Sequence, residues 1–156
     1  MKRSAGILVY HYEKNKLKVL LCHMGGPYWK DVDNGGWSIP KGEIGKEKTM
    51  EAALREFKEE TGFIAPKDKL EFLGSKKQSS HKLVIIFSAN YDFDASKAIS
   101  NTFKKEWPKG SRIIKEFPEM DQAKWLDIEI AKEKILKGQR YFLEKLETKM
   151  NQERKK

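Results

Sequence analysis

The chain has 156 residues, 38% hydrophobic and 35% charged, enough for one domain with a real core and a composition that suits a soluble protein. The longest apolar runs, such as Leu83 to Phe87, are too short to cross a bilayer, and a lone Cys22 excludes an intrachain disulfide or a cysteine zinc site. A net charge of +9, from 32 Lys and Arg against 23 Asp and Glu, favours anionic ligands without identifying RNA or DNA, because the lysines are scattered.

Met1-Lys2-Arg3 leads into a strand-like segment rather than a signal peptide, so the expected location is cytoplasmic, with no membrane partner. Ser4 to Tyr12 and Leu17 to Met24 read as two strands of a hairpin around the turn Glu13 to Lys16, with Cys22 a small buried hydrophobe on the second. Gly25-Gly26-Pro27 breaks the pattern. The loop Tyr28 to Gly36 then carries two aromatics, Tyr28 and Trp29, among turn formers and acids. Those rings either stack a nucleobase or pack against the edge of their own domain.

Trp37 to Glu43 is a short strand. Lys41 brings a cation beside the acids that follow, and Gly42 lets backbone approach a ligand closely. Thr49 and Gly62 are the expected N-cap and left-handed C-terminal residue of a helix. On that helix, at about 100° per residue, Glu56, Glu59 and Glu60 crowd one face, while Met50, Leu54 and Phe57 fan over another. Three carboxylates this close either stay wet or take a hard cation, and Mg²⁺ prefers oxygen ligands shared with substrate phosphates. Arg55 lies near enough to Glu56 and Glu59 to brace them.

Leu70 to Gly74 reads as a strand followed by a polar run, Ser75 to Ser80. His81 to Asp92 is the strongest strand signal, fit for the middle of a sheet, with His81 a surface residue at its end. Asp94 to Lys109 reads as an irregular excursion and Ser111 to Phe117 as a further strand. Ile128 to Lys137 and a second segment around Tyr141 to Leu146 read as amphipathic helices, separated at Gly138. One domain over 1–150 is expected, with 151–156 a frayed, charged tail.

Arg55 to Phe63, REFKEETGF, matches at every position the core of the Nudix box, R-E-U-x-E-E-x-G-U with U a bulky apolar residue. Gly42 and Glu47 resemble the box's first Gly and Glu, with one residue fewer between them than is usual in that family. The wider chain, including D-x-G-x-W-S-I-P-K-G-E, E-W-P and F-P-E-x-D-x-x-x-W, is similar to small bacterial-type Nudix proteins described as predicted nucleotide pyrophosphohydrolases. The resemblance implies an α/β fold, an α/β/α sandwich with a mixed central sheet. It implies Mg²⁺ or Mn²⁺ held by Glu56, Glu59, Glu60 and the Gly42 carbonyl, with Arg55 orienting the acids. It also implies a carboxylate from outside the box as further ligand or base, for which Glu119 is the candidate and Glu116 the second. The segment W-S-x-P-K-G resembles what precedes the box in enzymes acting on dinucleoside polyphosphates, which makes those or nucleoside triphosphates the expected substrate, held by Lys41, Tyr28, Trp29 and Trp37. The alternatives are an RNA 5′-pyrophosphohydrolase and a non-catalytic nucleotide-binding sensor. A monomer or homodimer is expected.

Overall fold

The structure, a computed structural model, describes residues 1–155; Lys156 of the expected tail lies outside them. Strand β1 (Lys2–Glu13) alternates its buried residues between two cores, Ala5, Ile7 and Val9 towards one and Leu8 and Tyr10 towards the other. A strand buried on both faces belongs in the middle of a sheet. β1 pairs antiparallel with β2 (Lys16–Met24) and parallel with β6 (Lys82–Asn90), which makes the sheet mixed.

The segment Trp37 to Glu43 drives a wedge between β1 and β2. Its first part, β3 (Trp37–Ser38), pairs with Cys22 and His23 of β2, and its second, β4 (Lys41–Glu43), pairs with Ser4 to Gly6 of β1. Gly6 makes room for the crossing: a Cβ there would lie 2.4 Å from the Pro40 carbonyl oxygen. The far edges of the sheet are β5 (Glu71–Ser79), beside β6, and β9 (Met120–Asp127), beside β2.

Helix α1 (Thr49–Thr61) covers one face, burying Ala52, Ala53 and Phe57 against Ile7, Val9, Leu20 and Ile85. Helices α2 (Ile128–Lys134) and α3 (Arg140–Arg154) cover the other with Ile128, Ala131, Phe142, Leu143 and Leu146. The result is the expected α/β/α sandwich. No helix among the described residues is long and apolar enough to cross a membrane.

Several boundaries differ from the sequence reading. The polar run after Gly74 continues β5 to Ser79, because this is an edge strand and exposed Lys76 and Lys77 suit an edge that must not pair further. The supposed irregular excursion contains β7 (Thr102–Glu106), which pairs with β8 (Ile114–Pro118) as a separate two-stranded hairpin. Strand β9 went unread as a strand, and α2 ends at Lys134 rather than Lys137. The expected frayed tail is helical through Arg154. Met150 is buried there and extends the stripe of Phe142, Leu143 and Leu146. Thr49 is the first helical residue and Lys48 the N-cap, with no side-chain cap bond, whereas Gly62 takes the left-handed conformation expected of it, φ 79°.

Candidate active site: an acid cluster at the split in the sheet

α1 carries its acids to the wedge. Glu60 is 5% exposed, and its carboxylate accepts the Lys41 backbone N–H at 2.8 Å. Glu56 is packed so closely under Gly42 that a Cβ on Gly42 would lie 2.1 Å from the carboxyl carbon. Glycine at 42 is thus required by the acid, not by backbone strain. Glu59 is half-buried beside them.

Arg55 braces this cluster. Its Nη1 donates to Glu56 at 2.7 Å and to Glu59 at 3.2 Å, while its Nη2 donates to Glu47 at 2.6 Å and to the Glu43 carbonyl at 3.0 Å. Glu47 therefore reaches Arg55 despite the short spacing from Gly42, and the missing residue is absorbed in the exposed turn around Gly45. These bonds hold Arg55 firmly in its charged form.

A fourth carboxylate comes from beyond the box. Glu119 follows β8, and its backbone is fixed twice, its N–H donating to the Asn101 carbonyl at 2.8 Å and its carbonyl accepting from the Gly25 N–H at 2.8 Å. Asn101 in turn donates its N–H to the Glu59 carbonyl at 2.7 Å, so α1, the β8–β9 junction and the end of β2 are laced together. Glu119 lies in the field of Glu56 and Glu59. The other candidate, Glu116, is turned away and accepts the Thr102 hydroxyl at 2.7 Å.

The electrostatics record the crowding. Burial, then the charge of Glu56, pushes Glu60 up to about 9. Burial raises Glu56, with Glu59 adding to it and Arg55 opposing, and burial with the charges of Glu56 and Glu59 raises Glu119. Burial pulls the Lys41 ammonium down, with Glu60 and Glu56 opposing. Among the described residues no three His, Cys, Asp or Glu side chains already form a closed metal site. Arg55 draws Glu56 and Glu59 to itself, and the Lys41 N–H holds Glu60. The donor chemistry nonetheless fits a hard divalent cation: four oxygen-bearing acids share one space, and three are penalised for being ionised there.

The aromatics divide. Tyr28 is 61% exposed and lies edge-to-face with Trp107, ring centroids 5.3 Å apart. Trp29 is half-buried, within the loop that its carbonyl closes by accepting the Val32 N–H. Trp37 belongs to the core under α2 and α3, 3% exposed, with its indole N–H donating to Asp33 at 2.9 Å. It supports the loop from below.

Sequence reasoning also missed His23 and Gln139. His23 sets one ring nitrogen 2.7 Å from an Asp121 carboxylate oxygen and the other 2.6 Å from the Val32 carbonyl oxygen, pinning the loop to β9. Gln139 accepts the Ile39 N–H at 2.8 Å and so holds the wedge from the α3 side. For His23 the available signal was a lone polar residue closing the apolar run Val19 to Cys22; Gln139, between Gly138 and Arg140, carried none.

The NUDIX domain profile matches residues 1–146. No curated protein matches the sequence. Among solved structures, an Ap4A hydrolase binary complex from C. elegans superposes with a TM-score of 0.66 at 20% identity, over 97% of this chain and 98% of that one. The NUDIX domain of Shewanella oneidensis NrtR complexed with ADP ribose gives 0.66 at 17% identity, over 95% and 87%. A MutT/nudix family protein from Enterococcus faecalis gives 0.58 at 21% identity over 81% of this chain, which spans only 43% of that longer one. Those identities speak for the fold alone. The profile covers nearly the whole chain, and with it the acids of α1, Gly42 and Glu119, so this protein belongs to the NUDIX domain family.

Proposed function

We propose that this chain is a metal-dependent pyrophosphohydrolase that cleaves a phosphoanhydride in a nucleoside diphosphate-linked substrate, a dinucleoside polyphosphate or a nucleoside triphosphate. The observation that carries the reading is the complete Arg55, Glu56, Glu59 and Glu60 set, braced by Glu47 and faced by Glu119 from another element. Binding alone has no need of so many crowded acids.

Glu56, Glu59, Glu60 and the Gly42 carbonyl would hold Mg²⁺ or Mn²⁺. The metal would supply charge neutralisation on phosphate oxygens and a more acidic water. Arg55 keeps Glu56 and Glu59 aligned. Glu119, raised by burial and by its acidic neighbours, is suited to take the proton of the attacking water at its carboxylate, and Lys41 to hold a phosphate beside the cluster. Attack in line with the leaving phosphate completes the exchange. The C. elegans Ap4A hydrolase and the ADP-ribose complex of NrtR, both similar in fold, are consistent with a nucleotide polyphosphate ligand.

The test is product release from nucleoside triphosphates, dinucleoside polyphosphates, nucleotide sugars and 5′-triphosphate RNA, with Mg²⁺ and with chelator. Turnover of one class that disappears with chelator, and falls about 100-fold or more in a folded Glu59→Gln chain, is the expected result. Nucleotide binding without turnover of any of them would make the chain a sensor, and unchanged turnover in Glu59→Gln would remove the acids from the mechanism.

A further inference from the structure

The β7–β8 hairpin carries five cations against two acids. Lys104, Lys105, Lys109, Arg112 and Lys115 lie within it or its turn, and among the described residues none of them makes an ion pair. The hairpin's own acids make their hydrogen bonds within it, Glu106 accepting the Gly110 N–H and Glu116 the Thr102 hydroxyl.

Lys105 and Lys115 stand directly opposite each other in the register. Side chains at such positions share a face and sit about 5 Å apart at Cβ, where like charges destabilise the pair. That face also carries Phe103, which packs under Gly26, and Trp107, which meets Tyr28. The Lys105 ammonium rests over the Tyr28 ring, 4.9 Å from its centroid. A half-buried cation on an exposed aromatic ring is a weak arrangement, and a phosphate offers the ammonium a stronger, charge-assisted bond. Moving Lys105 to a phosphate would uncover an aromatic surface on Tyr28.

The face is joined through backbone to Glu119. Gly25, whose N–H binds the Glu119 carbonyl, is three residues from Tyr28, a distance the chain spans in at most about 11 Å. A Cβ on Gly25 would lie 1.9 Å from the Pro118 carbonyl oxygen, so the end of β2 is seated directly on the root of the hairpin.

We propose that Lys105 and Lys115, with Tyr28 and Trp107, form a subsite for a phosphate and its attached nucleoside, making the hairpin the arm that selects nucleotide over bare polyphosphate. The subsite extends the hydrolase reading to a named specificity surface and rests on it for the identity of the ligand. A base stacked on an aromatic ring changes affinity roughly tenfold to a hundredfold.

The experiment compares adenosine 5′-tetraphosphate with inorganic tetraphosphate by calorimetry, with Ca²⁺ present. The expected result is at least about tenfold tighter binding of the nucleotide, a margin lost in Tyr28→Leu and kept in Tyr28→Phe, with Lys105→Met/Lys115→Met weakening both ligands. Equal affinity of the unaltered chain for the two, or a margin that survives Tyr28→Leu, overturns the subsite. Turnover with Mg²⁺ is read separately: a chain that discriminates the ligands but hydrolyses nothing overturns the hydrolase reading and leaves the subsite standing.

Discussion

The Glu60 carboxylate accepts the Lys41 backbone N–H at 2.8 Å, and through that bond the box helix is tied to the segment that splits the sheet. The same burial makes the charged form costly. Folded, this carboxyl titrates at about 9 against an ordinary 4.5. Between those values the folded chain holds a proton that the unfolded chain has released, so raising the pH across that window removes stability. In chelator, the melting temperature of the protein relative to Glu60→Gln is expected to fall steadily from pH 5 to pH 9. Mn²⁺ at pH 8 is expected to restore the protein more than the variant, since a cation then replaces the proton. A pH-independent difference would show that Glu60 is not a buried acid of this kind.

Gly42→Ala tests the close approach of backbone and acid. The added methyl would meet the Glu56 carboxyl at 2.1 Å, and overpacking of this sort costs about 1–3 kcal/mol. Glu56 has to yield, because the Lys41 and Glu43 backbone is held in pairing with β1. Turnover should drop by two orders of magnitude or more, roughly what misplacing a reacting group by 1 Å does. Normal kcat in a folded Gly42→Ala chain would place the reacting metal away from Glu56.

How much of this was legible beforehand follows from where information sits in a chain. The box is local: Arg55 to Phe63 fall on one helix, so spacing alone predicts which acids meet and that Arg55 reaches them. Glu119 could be nominated only by resemblance, because its place beside Glu56 depends on β8, Asn101 and Gly25, brought together from distant parts of the chain. The burial of Trp37 was not legible, because an aromatic at the start of a short strand carries no mark of which side of the sheet it will face. Of the β7–β8 hairpin, the second strand was legible in Ser111 to Phe117, whereas β7 was hidden by Lys104 and Lys105, which break the apolar alternation after Phe103. Polar edge strands such as the second half of β5 are missed for the same reason: they are built for solvent, and read as loops.

Glu47 offers a test of the short loop. Its carboxylate accepts from Nε and Nη2 of Arg55, leaving Nη1 for Glu56 and Glu59. Glu47→Gln removes the charge that fixes the guanidinium, and residues that orient metal-binding groups in this way typically carry 10- to 100-fold of activity or metal affinity. A fall of about that size in kcat, with KM for the nucleotide changing much less, is expected in steady-state kinetics. Arg55→Lys should resemble it, since an ammonium cannot fork between the two sides. Unchanged kcat in both variants would mean the acids align without a brace.

Gln139 supports the site from the opposite face. It is almost fully buried, its Oε1 accepting the Ile39 N–H at 2.8 Å and its Nε2 donating to Ser38 Oγ at 3.0 Å, just ahead of Pro40 and Lys41. Gln139→Leu keeps the volume but leaves that N–H without a partner, a loss of about 1–3 kcal/mol. In a chain of this size each kcal/mol lowers the melting temperature by about 2–4 °C, so a drop of roughly 3–10 °C is expected by calorimetry. Ser38→Ala, which leaves the Ile39 bond to Gln139 intact, should fall less. If Gln139→Leu melts with the unaltered chain, the wedge is held by its strand pairing to β1 and β2 alone, and the position of Lys41 owes nothing to α3.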